Sequence, residues 1–146
     1  AKRFIEEYFA RFAGVRRFLD DTVASAKRKG YVETIFGRRR YIPELKDKSH
    51  NIRAFGERTA TNSPLQGSAA DLIKIAMVRV AQALQDGFHA RLLLQVHDEL
   101  VVEAPEPETH AVAELKKRHM EGAAALRVPL VASVGIGPNW LEAKAH

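Results

Sequence analysis

Residues 92–105 read LLLQVHDELVVEAP, with His97, Asp98 and Glu99 held between two aliphatic runs. A carboxylate beside packed aliphatic side chains loses hydration, and two adjacent carboxylates also repel. An ordinary hairpin turn favours Asn-Gly or Asp-Gly, and His-Asp-Glu offers no glycine. The charge therefore calls for a cation, an arginine or full exposure to water. A hard cation such as Mg²⁺ takes one or two protein carboxylates and completes its shell with water and phosphate oxygens. Two such ions stabilise the attacking and leaving oxygens of a phosphoryl transfer. The alternative is an exposed acidic turn, and these three residues by themselves leave both readings open.

Two further groups have chemistry-bearing spacing. Arg58, Asn62 and Gln66 all hydrogen-bond and recur every four residues, which aligns them on one face of a continuous helix. Pro64 interrupts that ladder, so the expected alignment is approximate. Ser63-Pro64-Leu65-Gln66 also fits a capping box, in which Gln66 would serve a helix start. The second group is Arg38, Arg39 and Arg40, a run suited to phosphate contacts. Tyr8, Phe9 and Phe12 could form a base-stacking platform, but their helical spacing favours core packing. His89, His110 and His119 show no ligand spacing. Asp71 falls in a helix rich in core positions and reads as structural.

The elements that must position these groups follow from periodicity. Residues 1–29 have apolar positions at helical spacing, with Gly14 expected to break or kink the stretch. Lys27, Arg28 and Lys29 complement the helix dipole, and Gly30 suits the left-handed position after it. YVETIFGRRRYIP, residues 31–43, reads as a hairpin turning at Gly37. A polar loop is expected over 44–49 and a helix of about three turns near 49–61. A separate helix is expected from Ser63, with Pro64 at its first position, to Gly87. Leu65, Ala69, Leu72, Ala76, Val80 and Ala83 form its apolar stripe. Strands near 90–96 and 100–104, a helix over roughly 107–124 and a strand over 130–136 complete the pattern. This order predicts an α+β domain with a small antiparallel sheet.

The chain has 146 residues, 46% hydrophobic, enough for a real core and against disorder. It has no cysteine, which excludes disulfides and thiolate metal sites and fits a reducing compartment. No apolar run approaches the roughly 20 residues of a membrane span, so no membrane partner is expected. The net charge of +5 is unevenly placed. Residues 1–58 carry 15 Lys/Arg against 8 Asp/Glu, and residues 59–146 carry 8 against 10. Such asymmetry suits one surface for a polyanion and another bearing acids, although a solvated basic face gives the same balance. The absence of an initial Met suggests a piece of a longer protein.

QVHDEL between two aliphatic strands resembles motif C of the family A DNA polymerases, the bacterial DNA polymerase I type. RTATNSPLQGSAADLIK resembles that family's Arg…Asn…Gln-Gly-(Ser/Thr)-Ala-Ala-Asp segment. GYVETIFGRRRYIPEL resembles its basic hairpin, and VPLVASVGIGPNWLEAK its C-terminal end. Four segments in register over essentially the whole chain make the resemblance specific. It implies the C-terminal part of a polymerase domain, with fingers-side helices and the basic hairpin over 1–62 and a palm subdomain over 63–146.

The resemblance also implies roles. Asp98 is the ligand of two catalytic Mg²⁺ ions, shared with an Asp absent from this chain, and Glu99 supports that site. His97 lies near the primer terminus. Arg58, Asn62 and Gln66 contact primer–template DNA from the minor groove, whose acceptors are nearly alike across base pairs, so donors there check shape without reading sequence. Arg38, Arg39 and Arg40 meet phosphates. The implied reaction transfers a nucleotidyl group from a dNTP to a primer 3′-hydroxyl, in the cytoplasm of a bacterium, associated with the nucleoid. The family's DYS-like motif A strand and its K…NFG…Y nucleotide helix do not occur in these residues. The chain is therefore expected to need the remainder of the polymerase and to be inactive alone. Two alternatives are a non-enzymatic DNA-binding module and a single-subunit RNA polymerase relative. The latter usually has another residue after His-Asp, and QGSAAD favours the DNA enzyme.

Overall fold

The computed structural model describes residues 2–143. Ala1 and Lys144, ends of the first helix and of the C-terminal motif as read above, lie outside them. The chain divides into two compact units, Ala1–Ser68 and Ala69–His146. Helices and two small antiparallel two-stranded sheets, with no parallel pairing among the described residues, bear out the α+β expectation.

The first unit opens with α1 (Lys2–Arg11) and α2 (Ala13–Lys29). The break falls at Phe12, whose φ of −116° and ψ of 56° are non-helical, and not at Gly14, which continues as helix. α2 ends as expected: Gly30 takes φ +83° and its N–H bonds to Ala26 O at 2.7 Å. The core stripe expected along α1 is not a core. Tyr8 and Phe12 are exposed, and their rings pack on neighbours in the same stretch, with centroids 5.0 Å apart. The physical reason is that apolar spacing builds a core only where a second layer covers it, and none of the described residues buries this face.

Strands β1 (Tyr31–Glu33) and β2 (Arg39–Tyr41) form the basic hairpin, with Glu33 opposite Arg39 and Val32 opposite Arg40. The expected loop after it contains a 3-10 turn, Pro43–Lys46. The first core gathers Ala26, Val32, Ile42, Leu45 and Ala60, with Val23 against it.

Helix α3 runs unbroken from His50 to Gln85, through Pro64, where two helices were expected. Proline in a helix interior removes one ladder bond and costs roughly 3 kcal/mol. Here tertiary anchoring on both sides outweighs that cost. Ala60 is fully buried in the first core, and Ser68 Oγ accepts a bond from Ile35 N at 3.0 Å. Ser63 is no cap: it is buried in mid-helix, and its Oγ donates to Thr59 O at 2.7 Å. The capping box with Gln66 is therefore absent.

In the second unit, β3 (Arg91–Val96) and β4 (Glu99–Glu103) form the second hairpin, and α4 (Thr109–Glu121) follows a 3-10 turn, Glu106–Glu108. Ala76, Val80 and Leu84 of α3 pack with Leu100 of β4 and with Val112 and Leu115 of α4. The expected stripe is thus buried only in its later part, since Leu65 and Ala69 are exposed. Residues 130–136 are not a strand. Their exposure alternates at Leu130, Val131, Ala132 and Ser133 as a strand's would, but they join no ladder among the described residues. The N–H of Ala132 goes instead to Glu121 Oε1 at 3.0 Å.

Candidate functional site

The turn joining β3 to β4 has two residues, His97 and Asp98, because Val96 pairs with Glu99. Glu99 is therefore the first residue of β4 and not part of the turn. His97 takes φ +52° and is the only non-glycine at positive φ among the described residues. Positive φ at the first central residue alone is the sign pattern of a type II′ turn, where glycine is usual. The side-chain amide of Gln95 donates to His97 O and steadies the turn. An extra residue between Leu92 and Leu94 makes a bulge in β3 and leaves Leu93 exposed. Bulges re-aim a strand locally.

Asp98 in the turn and the adjacent Glu99 differ in their surroundings. Asp98 is exposed and has no ion pair among the described residues. Glu99 is exposed too, but its Oε2 accepts from Trp140 Nε1 at 3.3 Å. Lys116 of α4 is half-buried and places Nζ 3.4 Å from Leu100 O. Burial pushes the Lys116 ammonium below the usual lysine range, and the nearby Glu99 carboxylate opposes that shift. The sequence reading missed both Trp140 and Lys116. Lys116 had a signal: it stands four residues after Val112, on the buried stripe of α4.

As a ligand set, Asp98 offers a free hard-oxygen donor, which suits Mg²⁺ with its low demand for protein carboxylates. No group of three or more His, Cys, Asp or Glu side chains gathers among the described residues. Asp98 fits as one donor of a shared site and not as a complete cage.

In the first unit, the continuity of α3 puts Arg58, Asn62 and Gln66 on one face, all exposed, along about 12 Å of helix axis. The interruption expected at Pro64 does not displace them. The three arginines of the hairpin separate by task. Arg38 Nη2 donates to Gly67 O at 3.1 Å, which docks the hairpin on α3. Arg39 Nε pairs with Glu33 Oε1 at 2.9 Å, and its guanidinium lies over the Tyr31 ring, 4.6 Å from the centroid. The hydrogen bond to Glu33 raises the Arg39 pKa above the usual arginine value. Arg40 is exposed and has no ion pair among the described residues. Arg40 and Gln66 line one cavity of about 220 Å³ with Glu33, Thr34, Arg38 and Ser63.

Docking of the hairpin depends on Gly67 and Ser68, which the sequence reading also left without a role. The Cβ of any residue at 67 would stand 2.8 Å from Thr34 Cγ2. Thr34 Oγ1 in turn accepts from Arg38 N at 3.2 Å and Phe36 N at 3.3 Å. Gly-Ser at 67–68 is therefore a seat for the hairpin turn. No described helix is long and apolar enough to cross a membrane.

Comparison with known proteins agrees with this geometry. The chain is 50% identical over 145 residues to DNA polymerase I of Streptococcus pneumoniae serotype 4, covering 99% of this chain and 16% of that protein. It is 52% identical over 144 residues to the thermostable DNA polymerase I of Thermus aquaticus, covering 99% and 17%. The chain thus spans about a sixth of the length of the curated relatives it matches. Among solved structures, it is similar to the POL domain of Pol1 from M. smegmatis in complex with DNA primer-template and dNTP. That match has a TM-score of 0.94 and 50% identity, and covers 97% of this chain and 25% of the other. The model of DNA polymerase family A matches residues 1–142, and the chain belongs to that family.

Proposed function

We propose that this chain is the C-terminal part of the polymerase domain of a bacterial DNA polymerase I-type enzyme, acting in template-directed DNA synthesis in the cytoplasm. The carrying observation is Asp98: an exposed carboxylate without an ion pair among the described residues, on a two-residue turn, in a family A chain. In the reaction, the primer 3′-oxygen bonds to the α-phosphorus of a dNTP and pyrophosphate leaves.

Asp98 would hold Mg²⁺, with a second carboxylate supplied from elsewhere in the polymerase. When bound, the metal ions offset negative charge on the entering and leaving oxygens. Glu99 supports that site. His97, raised on its positive-φ backbone, faces the primer end. Arg58, Asn62 and Gln66 donate to minor-groove acceptors, which lets them check base-pair shape whatever the sequence. Arg40 meets a backbone phosphate, because Arg38 and Arg39 already serve the hairpin itself.

This reading makes the chain dependent on its longer polymerase. Purified residues 1–146 with Mg²⁺, primer-template and dNTPs are expected to give no extension, whereas the polymerase that contains them extends with dNTPs and not NTPs. Template-dependent extension by the 146-residue chain, abolished by Asp98→Ala, overturns the dependence. Preference for NTPs overturns the DNA polymerase reading.

A further inference from the structure

Trp140 returns to Glu99 across 41 residues of sequence, donating its indole N–H to Oε2 at 3.3 Å. The backbone that presents it is closed on itself. Asn139 Nδ2 donates to Glu142 Oε1 at 2.7 Å, and Asn139 Oδ1 accepts from Glu142 N at 3.1 Å. Asn139 O also accepts from Ala143 N at 3.0 Å. Gly137 is required for the closure. A Cβ there would lie 2.8 Å from Ala143 N and 2.8 Å from Glu142 C, backbone atoms that have no rotamer by which to move away.

Trp140 is 47% exposed, so water could take the hydrogen bond of its indole at little cost to stability. The bond to Glu99 is therefore chiefly directional: it selects one orientation of a carboxylate that would otherwise turn freely in solvent. On the neighbouring backbone, Lys116 reaches Leu100 O at 3.4 Å. Asp98, one residue before Glu99, has no such partner among the described residues. Among the described residues, the adjacent acids are thus one held and one without a partner.

We propose that the C-terminal turn Gly137–Ala143 is a positioning device that acts through Trp140 on Glu99, fixing its carboxylate beside the free Asp98. The inference rests on the reading of Asp98 and Glu99 as part of the polymerase centre. Trp140 is a positioning residue and touches no substrate.

Two measurements on the polymerase containing this chain test it. In 5-fluorotryptophan-labelled enzyme, the ¹⁹F resonance lost in Trp140→Phe is expected to shift on Glu99→Ala. In single-turnover extension, Trp140→Phe is expected to lower the rate about threefold or more, the low end for loss of one solvent-exposed hydrogen bond, with KM for dNTP and Kd for DNA within about twofold of the parent. In a Glu99→Ala background the same change should cost nothing further. Asn139→Ala, which opens the turn but keeps the indole, should reproduce the rate loss. An unmoved ¹⁹F resonance overturns the contact. An equal rate loss with and without Glu99, or a loss expressed in Kd for DNA alone, overturns the positioning role. A fully active Asp98→Ala enzyme overturns the reading of the centre instead, and leaves the ¹⁹F result standing by itself.

Discussion

Gly67 and Thr34 approach so closely that a single methyl group does not fit between them, with 2.8 Å from the Cβ position to Thr34 Cγ2. Thr34 cannot simply rotate aside, since its hydroxyl accepts two N–H groups of its own turn. Gly67→Ala gains about 1 kcal/mol of helix propensity, but overpacking a docked contact costs about 1–3 kcal/mol. The net expectation is destabilisation, together with loosening of the arginine hairpin. Gly14→Ala is the control: it lies inside α2, its Cβ meets nothing within 4 Å, and it should stabilise by up to about 1 kcal/mol. Urea melts of both variants check the opposite signs.

The hairpin arginines predict different salt behaviour. If only Arg40 reaches a phosphate, Arg40→Ala should flatten the slope of log K for duplex DNA against log salt by about 0.9. Arg39→Ala should leave that slope unchanged, because its guanidinium is committed to Glu33 and Tyr31. Changing all three should do little more to the slope than Arg40→Ala alone. Titrations at several salt concentrations decide, and equal slopes for Arg39→Ala and Arg40→Ala would contradict the division of labour.

How far these features were legible depended on how local they are. The hairpin carrying Asp98 was readable because aliphatic runs and a polar interruption fix strands and turn within a dozen residues. The pairing of Glu33 with Arg39 was readable in principle, as the two face each other once the hairpin register is drawn. The continuity of α3 was not. Pro64 is a strong local stop signal, and what overrides it is the burial of Ala60 and the docking of Ser68 on Ile35, contacts made at a distance in sequence. The same holds for Trp140 and Glu99. The strand expected over 130–136 shows the reverse failure: the mostly apolar run LVASVGI was visible, but a strand also needs a partner, and Ala132 N–H finds a glutamate side chain instead.

Acid should weaken the second unit through Glu108. Its carboxylate accepts from His89 Nδ1 at 2.8 Å and from His89 N at 2.9 Å. The His89 side-chain bond, first among the causes, holds Glu108 below the usual carboxylate range. A carboxyl whose folded pKa is depressed adds stability above its unfolded pKa, about 4.3 for glutamate, and loses it as pH falls through the lower folded value. Glu108→Gln should therefore flatten the fall in Tm below about pH 4.3 and change little at acid extremes. Melts across that window check it. A steeper acid fall in Glu108→Gln would contradict the assignment.

The two acids at the hairpin should separate by function. Asp98 is exposed and without an ion pair among the described residues, so its removal costs the fold nothing, and relief of repulsion with Glu99 can raise Tm slightly. In the polymerase, however, on the proposed reading Asp98→Ala would remove a donor for the metal that offsets charge on the leaving group. Losing one such electrostatic contact costs on the order of 10²–10³ in rate, and a metal ligand can cost more. DNA affinity should change far less, since the DNA contacts proposed for Arg40 and for the Arg58, Asn62 and Gln66 face do not involve Asp98. Glu99→Ala should cost less than Asp98→Ala, because the proposal gives Glu99, whose carboxylate accepts from Trp140, only a supporting part. Single-turnover extension, DNA titration and melts of the same two variants decide together. An Asp98→Ala enzyme within about threefold of the parent rate, a barrier change of only about 0.65 kcal/mol, would make the turn an ordinary exposed loop.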